Sequence, residues 1–163
     1  VNIVGELDVS EAQAALDRLD DELAALLPQW MRQSLDAVAA TARETTSFTD
    51  RSGALRNSIG RGPGGVYEVD GDADGITGAV GTGVSYGAHI EFGTKAHMVR
   101  PKLRTALRWP TAGGFGFSKG HMVSGIQARE FLQGALDARF PGIVDELTAV
   151  VQLAALRAGL GGA

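Results

Sequence analysis

The sequence predicts an α+β domain, with a long N-terminal helix and C-terminal helices packed on a mostly antiparallel sheet. Three observations predict it. Apolar residues recur at three- and four-residue steps across residues 10–46. Short strand-like runs, broken by Gly and Pro, fill the middle of the chain. Helical periodicity returns after residue 128. Helix, strands, then helices is the order expected when helices are laid on one antiparallel sheet. At 163 residues the chain reads as one domain, 1–163, with 1–9 and 159–163 as flexible ends.

The first helix opens near Ser10, with Asp8 or Ser10 as the capping residue and Glu11 or Gln13 completing a capping box. Leu16, Leu19, Leu23, Leu26 and Trp30 form one apolar line; Leu27, Met31, Leu35, Val38 and Ala42 wind beside it. Pro28 removes an amide donor, so a kink or a break into two helices is expected there. A helix apolar on more than one face suits a sheet on one side and either more core or a neighbouring subunit on the other.

Residues 54–60 alternate briefly, and 66–69 with 76–84 form a hairpin around the acidic turn at 70–75. Residues 86–92 make a turn or two of helix, pairing Tyr86 with Ile90 and His89 with Phe92, which Gly93 ends in the left-handed conformation. A second hairpin joins 103–109 to 115–119, centred near Ala112. Two helices close the chain: 128–140, and one starting at Pro141 with Ile143, Val144, Leu147, Val150, Val151 and Ala154 on its buried face. Leu160 and the residues after it fray. The short echo of Lys95-Ala96-His97-Met98-Val99 in Lys119-Gly120-His121-Met122-Val123 reads as two similar loops at one end of the second hairpin.

Composition removes several classes of function. Cysteine is absent, which rules out disulfides, thiolate catalysis and Cys-based zinc sites together. The N-terminal residues lack a basic n-region and no apolar run reaches bilayer length, so neither export by signal peptide nor membrane partnership is expected. A net charge of −4 argues against nonspecific duplex binding by a basic face. Arg100, Lys102, Arg104 and Arg108 form a local basic cluster, read as a solvated strand edge or a contact for an acidic partner.

Candidate chemistry fails residue by residue. His89, His97 and His121 lack metal-ligand spacing, and the hairpin register holds His97 about 20 Å from His121. Asp70, Asp72 and Asp74 match a calcium loop poorly. Gly81-Thr82-Gly83 has no Gly-Lys-Ser ending for phosphate, and neither Ser85 nor Ser118 has a base. The chain is expected to be non-enzymatic and to need no cofactor. Glu91, between Ile90 and Phe92, is either exposed on its short helix or partly buried against Arg56, Lys95, Arg129 or the amides near Thr94. In both cases it braces the fold or an interface.

Four segments carry more information together than apart: Gly53-Ala54-Leu55-Arg56-Asn57-Ser58-Ile59, residues 86–94 from Tyr86 to Thr94, His97-Met98-Val99-Arg100-Pro101-Lys102, and Arg129-Glu130-Phe131-Leu132. In that order and spacing, over roughly residues 10–155, they resemble the neck and tail-completion proteins of long-tailed bacteriophages, the gp-ten-like family. Gly87 for alanine, Ser124-Gly125 for Pro-Gly, and Glu130 for proline depart from the family pattern and put the rigidity of the 120–131 loop in question.

The resemblance implies a structural virion protein of the head-tail joint, assembled in the host cytoplasm. It would form a ring of its own copies, taken as six-fold although no residue fixes the ring size. Head-closure or connector proteins would lie on one side and the tail tube or terminator proteins on the other, and double-stranded DNA would pass through. A tail terminator is the related alternative, and a nucleic-acid-binding module or a small hydrolase the unrelated ones. The implied structural or interface residues are Leu55, Arg56, Tyr86, Glu91, Phe92, Gly93, Thr94, His97, Pro101, Lys102, Arg129 and Phe131. Glu68, Asp70, Asp72 and Asp74 would line the channel and repel DNA.

Overall fold

A computed structural model describes residues 9–73 and 75–160. One helix, α1 (Ser10–Glu44), organises it, followed by α2 (Ala54–Ser58), β1 (Gly65–Gly71), β2 (Ile76–Thr82) and α3 (Gly87–Phe92). Then come β3 (His97–Val99), β4 (Leu107–Thr111), β5 (Gly114–Ser118), β6 (His121–Val123) and α4 (Phe131–Ala158). The α+β class is as expected, and all strand pairing among the described residues is antiparallel. The strands form three two-stranded ribbons, β1–β2, β3–β6 and β4–β5, and not one continuous sheet.

The two long helices are the frame. They run antiparallel, because Phe131 and Ala135 share a core cluster with Ala42 while Arg18 reaches the carbonyl of Ala158. Neither proline ends its helix. Pro28 lies within α1, and Pro141 within a single α4 where two helices were expected. Each proline leaves one carbonyl four residues back without a helical donor. Those carbonyls belong to Ala24 and Asp137, both on exposed positions open to solvent, where losing one helical bond costs little.

On α1, Leu27, Leu35, Val38 and Ala42 of the second apolar line and Trp30 of the first are buried, while Leu16 of the first line is half exposed. The core cluster joins Val38, Ala39 and Ala42 to Phe48, Leu55, Ile59, Phe131 and Ala135. It lies at the C-terminal end of α1; the N-terminal half of that helix packs on α4 through small residues, Ala15, Ala154 and Ala158. On α4, Val144 and Val151 were expected to be buried and are exposed. Only α1 covers that helix lengthwise, and its stripe is wider than one neighbour can cover.

Three further expectations are corrected. Residues 54–60 alternate, yet Ala54–Ser58 is helical. Val9, which offers no side-chain acceptor, occupies the N-cap of α1 where a capping box was expected; Asp8 lies outside the described residues. Leu160 does not fray, since its amide donates to Ala155 and that of Gly159 to Leu156, closing α4. The remaining residues expected to be flexible, 1–8 and 161–163, are outside the described range.

The echoed His-Met-Val segments pair directly with each other as β3–β6, Met98 opposite Met122. The β4–β5 hairpin turns about where expected, between Ala112 and Gly113, with Thr111 opposite Gly114. Between the two ladders residues 100–106 bulge out on one strand against 119–120 on the other, which is why His121 faces Val99 and not Leu103.

The β1–β2 ribbon is held to α1 by a small polar cluster. Arg61 donates to Asp36 at 2.9 Å and to the Tyr67 hydroxyl at 2.6 Å, and stacks over the Tyr67 ring; that hydroxyl donates to the Arg32 carbonyl at 2.8 Å. The Arg61 hydrogen bond holds the Asp36 carboxyl below its usual range, and burial raises the Tyr67 phenol. A carboxyl depressed in the folded state contributes stability above its unfolded pKa and loses it as pH falls through the folded value. Asp36→Asn should therefore lower the denaturation midpoint at neutral pH, and the gap from wild type should close as pH drops below the ordinary aspartate value. A gap of constant size down to pH ~2 would show that charge at Asp36 plays no part.

Candidate functional site

The sequence motifs converge on the ends of the two long helices. α1 stops at Glu44 with its last carbonyls facing a turn that returns through Asp50. Asp50 accepts from the amides of Gly53 at 3.0 Å and Arg56 at 2.8 Å, which starts α2. Arg56 is thereby aimed back at the helix it follows. Its guanidinium donates to the carbonyls of Arg43, Thr45 at 2.7 Å and Phe48 at 3.0 Å, and covers the Phe48 ring at 4.5 Å. A planar donor fork can satisfy several carbonyls at once, and a cation is favoured at a helix C-terminus. Leu55 and Ile59, flanking it, are fully buried, and Ser58 bonds to Thr82 on β2.

The second motif does the converse for α4. Glu91 is buried near the end of α3, and its two carboxylate oxygens accept from the amides of Leu132 and Gln133, each at 2.9 Å. These are first-turn donors that have no partner inside the helix. A carboxylate there gains both from the hydrogen bonds and from the helix dipole. The partners named from sequence, Arg56, Lys95, Arg129 and the amides near Thr94, make no side-chain contact with Glu91; backbone amides 41 and 42 residues away take that place.

The rest of that motif places the loop that leads into α4. The carbonyls of Ile90 and Glu91 accept from the amides of Arg129 and Glu130, and Thr94 is joined to Ile126 by two bonds, N–H to carbonyl at 2.8 Å and amide to Oγ1 at 3.0 Å. The segments approach too closely for side chains. A Cβ on Gly93, at φ 73°, would lie 2.6 Å from the Ile126 carbonyl, and one on Gly125 would fall 1.8 Å from that of Thr94. The loop whose rigidity the departures put in question is thus tied at four backbone positions. Glu130 sits at φ 44°, which proline cannot reach, and its amide is in use.

Of the residues singled out from sequence, Leu55, Arg56, Glu91, Gly93, Thr94, Phe131 and the backbone of Arg129 belong to these two clamps. Phe131 meets Phe48 at 5.0 Å between ring centroids. The others lie elsewhere. Tyr86 is exposed at the start of α3, and Phe92 is 78% exposed at its end. His97 is exposed on β3, Pro101 is half-buried and Lys102 exposed in the 100–106 bulge. His121 packs on Trp109, and no group of His, Asp and Glu with metal-binding geometry occurs among the described residues. Sequence reasoning missed Phe48, Asp50 and Ile126. Only Asp50, three residues before a glycine, carried a local signal.

Glu91→Ala should cost roughly 2 kcal/mol in urea unfolding and Glu91→Gln about half of that, with unchanged denaturant slope. A loss below ~0.5 kcal/mol for the alanine variant would show that the α4 amides are satisfied in another way. Glu130→Pro, although it restores the residue common in the resembled pattern, should cost more than ~2 kcal/mol, while Glu130→Gly should leave stability equal or higher. A stable proline variant would contradict the left-handed turn.

No curated protein and no solved structure matches the chain. The family model described as "Bacteriophage HK97-gp10, putative tail-component" matches residues 10–93. That span takes in α1, the Arg56 clamp, the β1–β2 ribbon and α3 as far as Gly93, and leaves 97–102 and 129–132 outside the match. With just over half its length matched, and with both clamp residues Arg56 and Glu91 inside the matched span, the chain belongs to the HK97-gp10-like family of bacteriophage tail components.

Proposed function

We propose that this phage structural protein is a ring-forming subunit of the head-tail joint, stacked between head-closure proteins and the tail tube, with DNA passing through its lumen. The observation that carries the reading is surface. The chain exposes 11552 Å², about 1.5 times the ~7,700 Å² expected of a compact chain of its mass. Exposed apolar side chains are ordered along a helix: Leu136, Phe140, Val144 and Val151 follow one side of α4, and Leu153 and Leu156 lie on another. Apolar stripes of this length on a monomer mark contact surfaces. Two long helices, with side chains capping both ends of α4 and the C-terminal end of α1, keep such stripes straight, as a repeating subunit requires.

A ring needs two different patches per subunit, each complementary to the other, so that head-to-tail contacts close on rotation. An exposed α4 stripe together with structures projecting elsewhere meets that need. The exposed carboxylates of Glu68, Asp70 and Asp72 on and beside the β1–β2 ribbon suit a wall that DNA passes without binding; Asp74 lies outside the described residues.

Mass measurement across a concentration series, with negative-stain images of the largest species, tests this reading. The expected result is one closed stoichiometry, six-fold, at the higher concentrations. A protein that stays monomeric to its solubility limit would overturn self-assembly as its property.

A further inference from the structure

Two features of the folded chain are left unpartnered and are complementary. The first is an apolar groove of about 550 Å³ walled by α1, β2, α3 and α4, with Trp30, Leu35, Val80, Phe92, Leu136 and Phe140 on its surface. Trp30 Nε1 and Ser34 Oγ, both on residues more than nine-tenths buried in its wall, have no hydrogen-bond partner. An indole N–H only donates, and buried donors are rarely left unmet. The groove therefore calls for an occupant that is apolar and carries acceptors.

The second feature is the segment 94–128, none of which lines the groove. It holds six of the chain's 15 basic residues and none of its 19 acidic ones, which leaves nineteen acids against nine bases elsewhere. α1, the longest wall of the groove, has seven acids against three bases. Within 94–128 one face of the β4–β5 ribbon presents Phe115 and Phe117 at 53% and 67% exposure, opposite Pro110 and Arg108; Trp109 lies on the other face against His121. Arg108 lies 3.5 Å from the Phe115 ring centroid, so positive charge and aromatic surface share one face. Both outer edges of a two-stranded ribbon carry free carbonyls.

We propose that the β4–β5 ribbon of one copy seats in the α1–α4 groove of the next, and that this is the head-to-tail contact of the assembly. The inference rests on the ring reading above and names its two patches. Charge steers the approach: the arm is basic and the rest of the chain acidic, while the groove stretch of α1, 30–38, is neutral, with Arg32 and Asp36. Hydrogen bonding matches, because an edge carbonyl of the ribbon gives Trp30 Nε1 its acceptor. Shape matches too: Phe115 and Phe117 share the face that meets the groove, whose rim offers Leu136 and Phe140 as apolar partners.

The absence of cysteine makes the test clean. Phe117→Cys on the ribbon and Phe140→Cys on the groove rim are made singly and together, with circular dichroism checking the fold of each. Under mild oxidation the double variant should give a covalent ladder ending at the size of the native oligomer, and neither single variant should. Phe115→Ser with Phe117→Ser should shift assembly to at least tenfold higher concentration. Oligomers that form without a ladder would overturn the docking and leave the ring intact. A wild-type protein that never oligomerises would overturn both. Salt-sensitive retention of duplex DNA, lost in the ribbon variants while assembly persists, would overturn the docking by making the arm a nucleic-acid surface.

Discussion

The amides that open α4 have to be satisfied before that helix can lie along α1, and Glu91 is what satisfies them. An α-helix leaves its first donors without internal partners, and a buried start cannot turn to water for them. Here the residue preceding the helix, Glu130, makes no side-chain cap. The acceptor comes instead from α3, through a carboxylate that is itself buried and so depends on the same two amides. The dependence is mutual. Without Glu91 the amides are orphaned, and without α4 an acid is stranded against Ile90 and Leu132. Such a contact fixes the distance and angle between α3 and α4 more tightly than apolar packing, which tolerates sliding.

The same device recurs wherever a long helix ends inside the protein. Arg56 collects the carbonyls at the end of α1, and Arg18 of α1 donates to the Ala158 carbonyl at the end of α4. Each cap has the sign that the helix dipole favours, cations at C-termini and the anion at the N-terminus. This makes sense of a fold whose core cluster is small for its length. Thirty-five residues of α1 extend about 52 Å, further than one cluster near Ala42 and Phe131 can reach. Polar ties at the ends do the positioning that a larger core does in a rounder protein.

The reliance on distant caps also explains which parts of the structure were legible in the sequence. The long helix, the first hairpin and the short helix before Gly93 announced themselves through local periodicity and turn residues, so their existence and order could be read directly. Helix continuity through Pro28 and Pro141 could not, because the cost of proline is local while the packing of α1 on α4 that outweighs it is not. Glu91 stood out as an acid between two apolar residues, but its partners are 41 residues on, and nothing local distinguishes them from Arg129 or Thr94. The echo of His97-Met98-Val99 in His121-Met122-Val123 was visible as a repeat. Its meaning as a strand pair required knowing that residues 100–106 bulge out of the ladder.

A subunit braced through its helix ends has a consequence for assembly. Caps consume backbone polar groups at the tips and leave the flanks of the helices unspent, which is where α4 is apolar and uncovered. The tying of 124–130 to α3 acts in the same direction, since it anchors one root of the β3–β6 stem and projects the basic β4–β5 ribbon away from the core. The matched family span ends at Gly93, just where this arm begins. Both clamp residues, Arg56 and Glu91, therefore lie inside the matched span, while the arm, the α4 flank and the amides that Glu91 caps lie beyond it.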